Sequence, residues 1–79
     1  MTPDELCAEH ADRGTRLTIR DLDAETVLIE GDIVALGFLA DLLRSVCEPS
    51  EDGFQIGPRS AGSKLFTTDS NRGVYLHCK

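Results

Sequence analysis

Cys7, His10, His77 and Cys78 together have the composition of a Cys₂His₂ zinc site, and the Cys7-x-x-His10 spacing sets its two side chains on one face of a helical turn. The second half of such a site is awkward, because adjacent residues on a strand point to opposite faces, so His77 and Cys78 do not readily share one metal. The expected arrangement instead puts Cys7 and Cys78 at the core margin and both histidines at the surface. Cys47 or Cys78 with a histidine is the only candidate nucleophilic pair, but a reactive thiol needs a partly exposed, electropositive setting that no neighbouring sequence supplies. Gly57-Pro58-Arg59-Ser60-Ala61-Gly62-Ser63-Lys64 looks like a phosphate-binding P-loop. Its serine and lysine are transposed, however, and a strand rather than a helix is expected after it. Asp69-Ser70-Asn71 resembles the start of a calcium loop but lacks the later ligands and the closing glutamate; turn chemistry explains it better. These residue patterns predict no enzyme, no resident metal and no cofactor.

Charge narrows the partners. The formal net charge is −6, which repels nucleic acid phosphates and anionic lipid surfaces, since both are bound chiefly through lysine and arginine. The acidity is uneven: residues 1 to 49 carry eleven acidic and four basic groups, whereas residues 50 to 79 carry three and four. Apolar residues make up 41% and charged residues 28% of the 79, an ordinary globular composition. The longest apolar run, Ile33 to Leu43, is interrupted by Gly37 and Asp41 and is too short to cross a bilayer, which takes about 20 residues. The N-terminus has neither the basic nor the apolar region of a secretory signal. Cysteines Cys7, Cys47 and Cys78 are odd in number and far apart, so they are expected as reduced thiols in a cytoplasmic protein.

Any site must be positioned by elements that the spacing also predicts. Thr2-Pro3-Asp4-Glu5 has a hydroxyl at the N-cap, proline at the first helical position and glutamate three residues after the cap, predicting a helix to about Asp12, closed by Gly14. Thr15 to Arg20 alternates, and Thr26 to Glu30 is β-branched and apolar, predicting an antiparallel hairpin with Val27 and Ile29 toward the core and Leu28 away from it. Asp32 is placed to cap a helix from Ile33 to about Cys47 whose apolar stripe would be Leu36, Leu39, Leu43, Val46 and Cys47. Phe54 to Ile56, Lys64 to Thr68 and Val74 to Cys78 read as three more strands divided by turns. The expected fold is a single α+β domain over residues 1–79, of order αββαβββ. A curved antiparallel sheet of about five strands would carry the main helix on one face, beside a short N-terminal helix.

Some apolar residues fall where a lone helix and sheet would not need them. Val34 and Phe38 lie four apart on the helical face opposite the expected stripe, and either the N-terminal helix or a partner covers them. Leu28 and Tyr75 fall on the sheet face away from the core, where an aromatic with a polar tip suits a contact surface. These four are the candidate protein contacts.

Two stretches, Val27-Leu28-Ile29-Glu30-Gly31-Asp32 leading into the leucine-rich helix and Leu65-Phe66-Thr67-Thr68-Asp69-Ser70-Asn71-Arg72-Gly73-Val74-Tyr75-Leu76-His77, resemble the immunity protein 32 family of bacterial polymorphic toxin systems. The resemblance spans residues 27 to 77; the helix of residues 2 to 12 is outside it. It implies a protein that binds and blocks a cognate toxin, and it transfers no catalytic residue. An acidic surface would suit a basic nuclease toxin, with fast steered association. The expected function is thus a small acidic non-catalytic protein-binding domain; the alternatives are a structural or regulatory homodimer and a zinc-binding module.

Overall fold

The computed structural model describes residues 1–48 and 53–79. Helix α1 (Pro3–Asp12) begins as its sequence dictates. The Glu5 amide donates to Thr2 Oγ1 at 3.2 Å, and the Thr2 amide donates to Glu5 Oε1 at 2.9 Å, so two of the orphan donors at the helix start are satisfied. Gly14, with φ +80°, turns the chain out of the helix in a left-handed conformation that glycine adopts without strain. Strands β1 (Thr18–Asp21) and β2 (Val27–Glu30) form an antiparallel hairpin pairing Thr18 with Glu30 and Asp21 with Val27. Asp32 caps α2 (Ile33–Ser45), accepting from the Ala35 amide at 2.8 Å. Strands β3 (Phe54–Ile56) and β4 (Val74–Leu76) form a second antiparallel pair.

The predicted α+β class is right, but the described strands form two separate two-stranded sheets, not one curved sheet of five. The strand expected at Lys64 to Thr68 is replaced by a single 3₁₀ turn at Ser63–Leu65. Gly62 enters that turn at φ +81°, and the amides of Leu65 and Phe66 donate back to Gly62 and Ser63, which removes them from any ladder. The chain beyond the turn lies along β1 irregularly. Leu17 donates to the Leu65 carbonyl and accepts from the Thr67 amide, forming an isolated parallel bridge with Phe66. The Ile19 carbonyl accepts from the amides of Asn71 and Arg72, and the Ile19 amide donates to Ser70 Oγ at 3.1 Å. Residues 65 to 72 therefore close the outer edge of β1 without becoming a strand.

The core gathers Leu6 and Cys7 of α1, Leu17 and Ile19 beside and in β1, Ala35, Phe38 and Leu42 of α2, and Ile56, Leu65 and Phe66. Helix α2 is rotated from the expected stripe. Ala35, Phe38, Leu42 and Ser45 face inward, whereas Leu36 and Leu43 are 44% and 50% exposed. The cause is that α2 is apolar almost all round from Ile33 to Leu43, so spacing alone does not choose a face. The largest side chain, Phe38, takes the interior, under α1, where the His10 ring lies 4.6 Å from its own. Ser45 is tolerated there because its hydroxyl donates to the Leu42 carbonyl at 2.8 Å.

Cys47, just past α2, and Cys78, just past β4, are joined in a disulfide with Cα atoms 5.2 Å apart; they are not reduced thiols. Only Cys7 is free, and it is buried. Val27 and Ile29 do not enter the core: Ile29 shares a face with the buried Ile19, yet β2 is the outer strand of a two-stranded hairpin and no described residue closes over its far side. No helix among the described residues is long and apolar enough to cross a membrane.

Candidate protein-contact surface

The residue types that could have made a catalytic or metal centre are not brought together. Cys78 is bonded to Cys47. His10 is buried, contrary to its expected surface position, and its Nδ1 lies 2.9 Å from Thr15 Oγ1 within the α1 to β1 corner. Among the described residues no three His, Cys, Asp or Glu side chains converge as metal ligands. Burial, reinforced by the Asp4 carboxylate, pushes the Cys7 thiol up to about 11, the reverse of what a nucleophilic thiolate requires. The glycine-rich segment also fails as a phosphate cradle, since Gly62 leads into three residues of 3₁₀ turn and no helix points amides at the loop. Arg59 and Lys64 line an open, shallow cleft there beside the hydroxyls of Ser63, Thr67 and Ser70.

The four expected contact residues meet different fates. Phe38 is a core residue, 1% exposed, because α1 covers it. Val34, four residues earlier, is 52% exposed at the rim of the same face. Leu28 is half-buried on β2, opposite Arg20. Tyr75 is 63% exposed on β4, where its phenol lies over Gly53 so closely that a Cβ on that residue would collide with the hydroxyl. Leu28 and Tyr75 belong to different sheets and do not form one strand face.

Sequence reasoning does not separate out a second apolar stripe on α2. Ile33, Leu36, Ala40 and Leu43 repeat at intervals of three, four and three, the same spacing as the buried Ala35, Phe38, Leu42 and Ser45. They lie on the far side of the helix. Ile33 is 87% exposed, and Gly37, at the margin of the stripe, faces open space. The spacing carries the signal, but the same spacing describes a core face equally well.

The hairpin that precedes α2 is acidic. From Asp21 to Asp32 the chain has five acidic and no basic residues. Three are occupied: both oxygens of Asp21 accept from Arg72 at 2.9 Å, Asp23 Oδ1 accepts from the Glu25 amide at 2.9 Å, and Asp32 caps α2. The Arg72 hydrogen bonds hold the Asp21 carboxyl below the usual carboxylate range. Glu25 and Glu30 are exposed and belong to none of the ion pairs among the described residues. No protein-family model matches the chain, and neither a curated protein nor a solved structure does so.

Proposed function

We propose that this chain is a non-catalytic, acidic protein-binding domain that presents an exposed apolar helix face to a basic protein, in the manner of an immunity protein neutralising a cognate bacterial toxin. One observation supports it above the others: the outward stripe of Ile33, Leu36, Ala40 and Leu43 on α2. Burying a side chain such as leucine or isoleucine is worth about 1.5–3 kcal/mol. A 79-residue chain that leaves such a stripe in water forgoes a sizeable share of its available stabilisation. Contiguous exposed apolar surface rimmed by polar groups is the signature of a contact site. The net charge of −6 favours a basic partner and faster encounter.

The same stripe also fits a homodimer, against which the charge of −6 on each copy weighs. The cytoplasmic setting belongs to this proposal, and the disulfide bears on it: in a reducing cytosol the bond opens, whereas an oxidising compartment keeps it. Co-expression with a toxin encoded beside this gene tests the reading. The protein should protect the cell and form a complex with that toxin. Leu36→Asp with Leu43→Asp should abolish both while the circular dichroism melting curve stays in place. Unimpaired protection by the double variant refutes the assigned surface. A dimer in sedimentation that Leu43→Asp dissociates would instead favour self-association.

A further inference from the structure

The two edges of the β1–β2 hairpin are treated differently. On β1, the backbone groups of Ile19 are spent on Ser70, Asn71 and Arg72, and the Asp21 amide donates to Asn71 Oδ1 at 3.0 Å. Hydrogen-bonded and non-bonded pairs alternate along an antiparallel ladder. The hairpin is therefore held through Thr18 with Glu30 and Arg20 with Leu28, and the Leu22 amide continues the pattern by donating to the Thr26 carbonyl at 2.8 Å. Val27 and Ile29, opposite Asp21 and Ile19, consequently turn their N–H and C=O groups away from β1. Among the described residues nothing bonds them.

We propose that this outer edge of β2 takes up an extended, basic segment of a partner protein as a third strand, with Val27 and Ile29 supplying the backbone hydrogen bonds. The inference rests on the protein-binding reading and names its mode. Two donors and two acceptors set two residues apart form one side of a ladder, the template on which strand addition depends. The charge selects the occupant. The exposed Glu25 and Glu30 flank the two residues, so lysine or arginine on the incoming strand would meet carboxylates from either end. A second copy is disfavoured, because it would bring five more carboxylates between residues 21 and 32 and no cation.

The probe is a blocked Lys-Val-Lys-Val-Lys-Val peptide, titrated into the full ¹⁵N-labelled chain and compared with an alternately N-methylated twin and a Glu-Val twin. Amide exchange at Val27 and Ile29 should slow about tenfold or more with the basic peptide. The N-methylated twin should not bind, because it lacks the donors, and the acidic twin should bind at least about tenfold more weakly. Ile29→Pro should abolish binding yet keep the hairpin, since that N–H serves the outer edge only. Unchanged exchange at Val27 and Ile29, or equal affinity for the N-methylated twin, overturns the proposal. So does protection that rises with protein concentration when no peptide is present, which assigns the edge to a second copy. The toxin-protection assay with the α2 variants scores the broader reading separately, so loss of one leaves the other's result standing.

Discussion

Breaking the Cys47–Cys78 bond should remove a large share of the stability of this chain. The bond ties the end of α2 to the residue beyond β4 across a sequence separation of 31. In the chain-entropy description the loss on cross-linking is about 2.1 + 1.5R ln n, which for a closed loop of this length is about 12 cal/mol/K, or about 3.7 kcal/mol at 25 °C. A domain of this size has a total stability on the order of 4–12 kcal/mol. The open form should therefore be about a third or more less stable, with a melting temperature roughly 15–30 °C lower.

The assay is urea unfolding of the oxidised chain, of the same chain with a phosphine reductant, and of Cys47→Ser with Cys78→Ser. Thiol titration in denaturant fixes the state of each sample: only Cys7 should react before reduction, and all three cysteines after it. Reduction and the double serine variant should shift the midpoint alike. A bond that is intact by titration but whose loss moves the unfolding free energy by less than about 1 kcal/mol, or three thiols titrating in protein purified under air, would refute this stabilising role. Cys47 is exposed and Cys78 partly so, which leaves the bond open to reductant in the folded state.

Phe38→Ala should cost about 3–5 kcal/mol by cavity formation, whereas Leu43→Ser on the outer stripe should stay within about 1 kcal/mol; comparable losses in urea unfolding would mean that α2 presents the other face to the core. At Gly73 an added Cβ would sit 2.6 Å from the Ile56 carbonyl oxygen and 2.9 Å from the Gly57 Cα, both backbone atoms. Gly73→Ala should accordingly destabilise by about 1–3 kcal/mol and disturb the amide shifts of β3 and β4, while unchanged shifts would contradict that close approach. The Asp21 carboxyl is held low by Arg72, so its contribution is complete above the unfolded-state pKa and disappears as pH falls through the lower folded value. Asp21→Asn should thus flatten the acid limb of the stability profile relative to the native chain, and parallel limbs would show that the pair contributes nothing.

Local signals in the sequence are legible where a short stretch decides its own structure. Thr2 with Glu5, Gly14, and Asp32 before Ile33 each specify an end of a helix by satisfying or releasing backbone groups within a few residues. The β1–β2 hairpin likewise comes from an alternating run and a β-branched apolar run on either side of a polar turn. Lys64 to Thr68 misleads because a short β-prone run between turn residues resembles a strand, while the left-handed Gly62 and the local bonds from Leu65 and Phe66 commit it to a turn. The disulfide is hidden for another reason. An odd cysteine count and wide spacing carry no pairing information, and only the folded positions of the α2 and β4 ends bring Cys47 to Cys78.

The rotation of α2 explains why the candidate surface is visible in the structure and not in the spacing. Two apolar stripes of similar period run along different sides of this helix, so periodicity distinguishes them poorly, and the choice falls to shape. Phe38 is buried beneath α1, its ring tilted against that of a His10 whose Nδ1 is hydrogen-bonded to Thr15. Ala35 lies so near Gly31 that a Cβ there would come within 2.7 Å of its own, and a larger side chain at that point would push the helix off the hairpin. The inner stripe thus combines one large and one small residue that match a specific surface, whereas Ile33, Leu36 and Leu43 match nothing in the described chain. A helix needing only its core would gain solubility from glutamate or lysine at those three positions without loss of packing. Their apolar character is what makes the outer face of α2 an interface in this proposal and not a by-product of a small core.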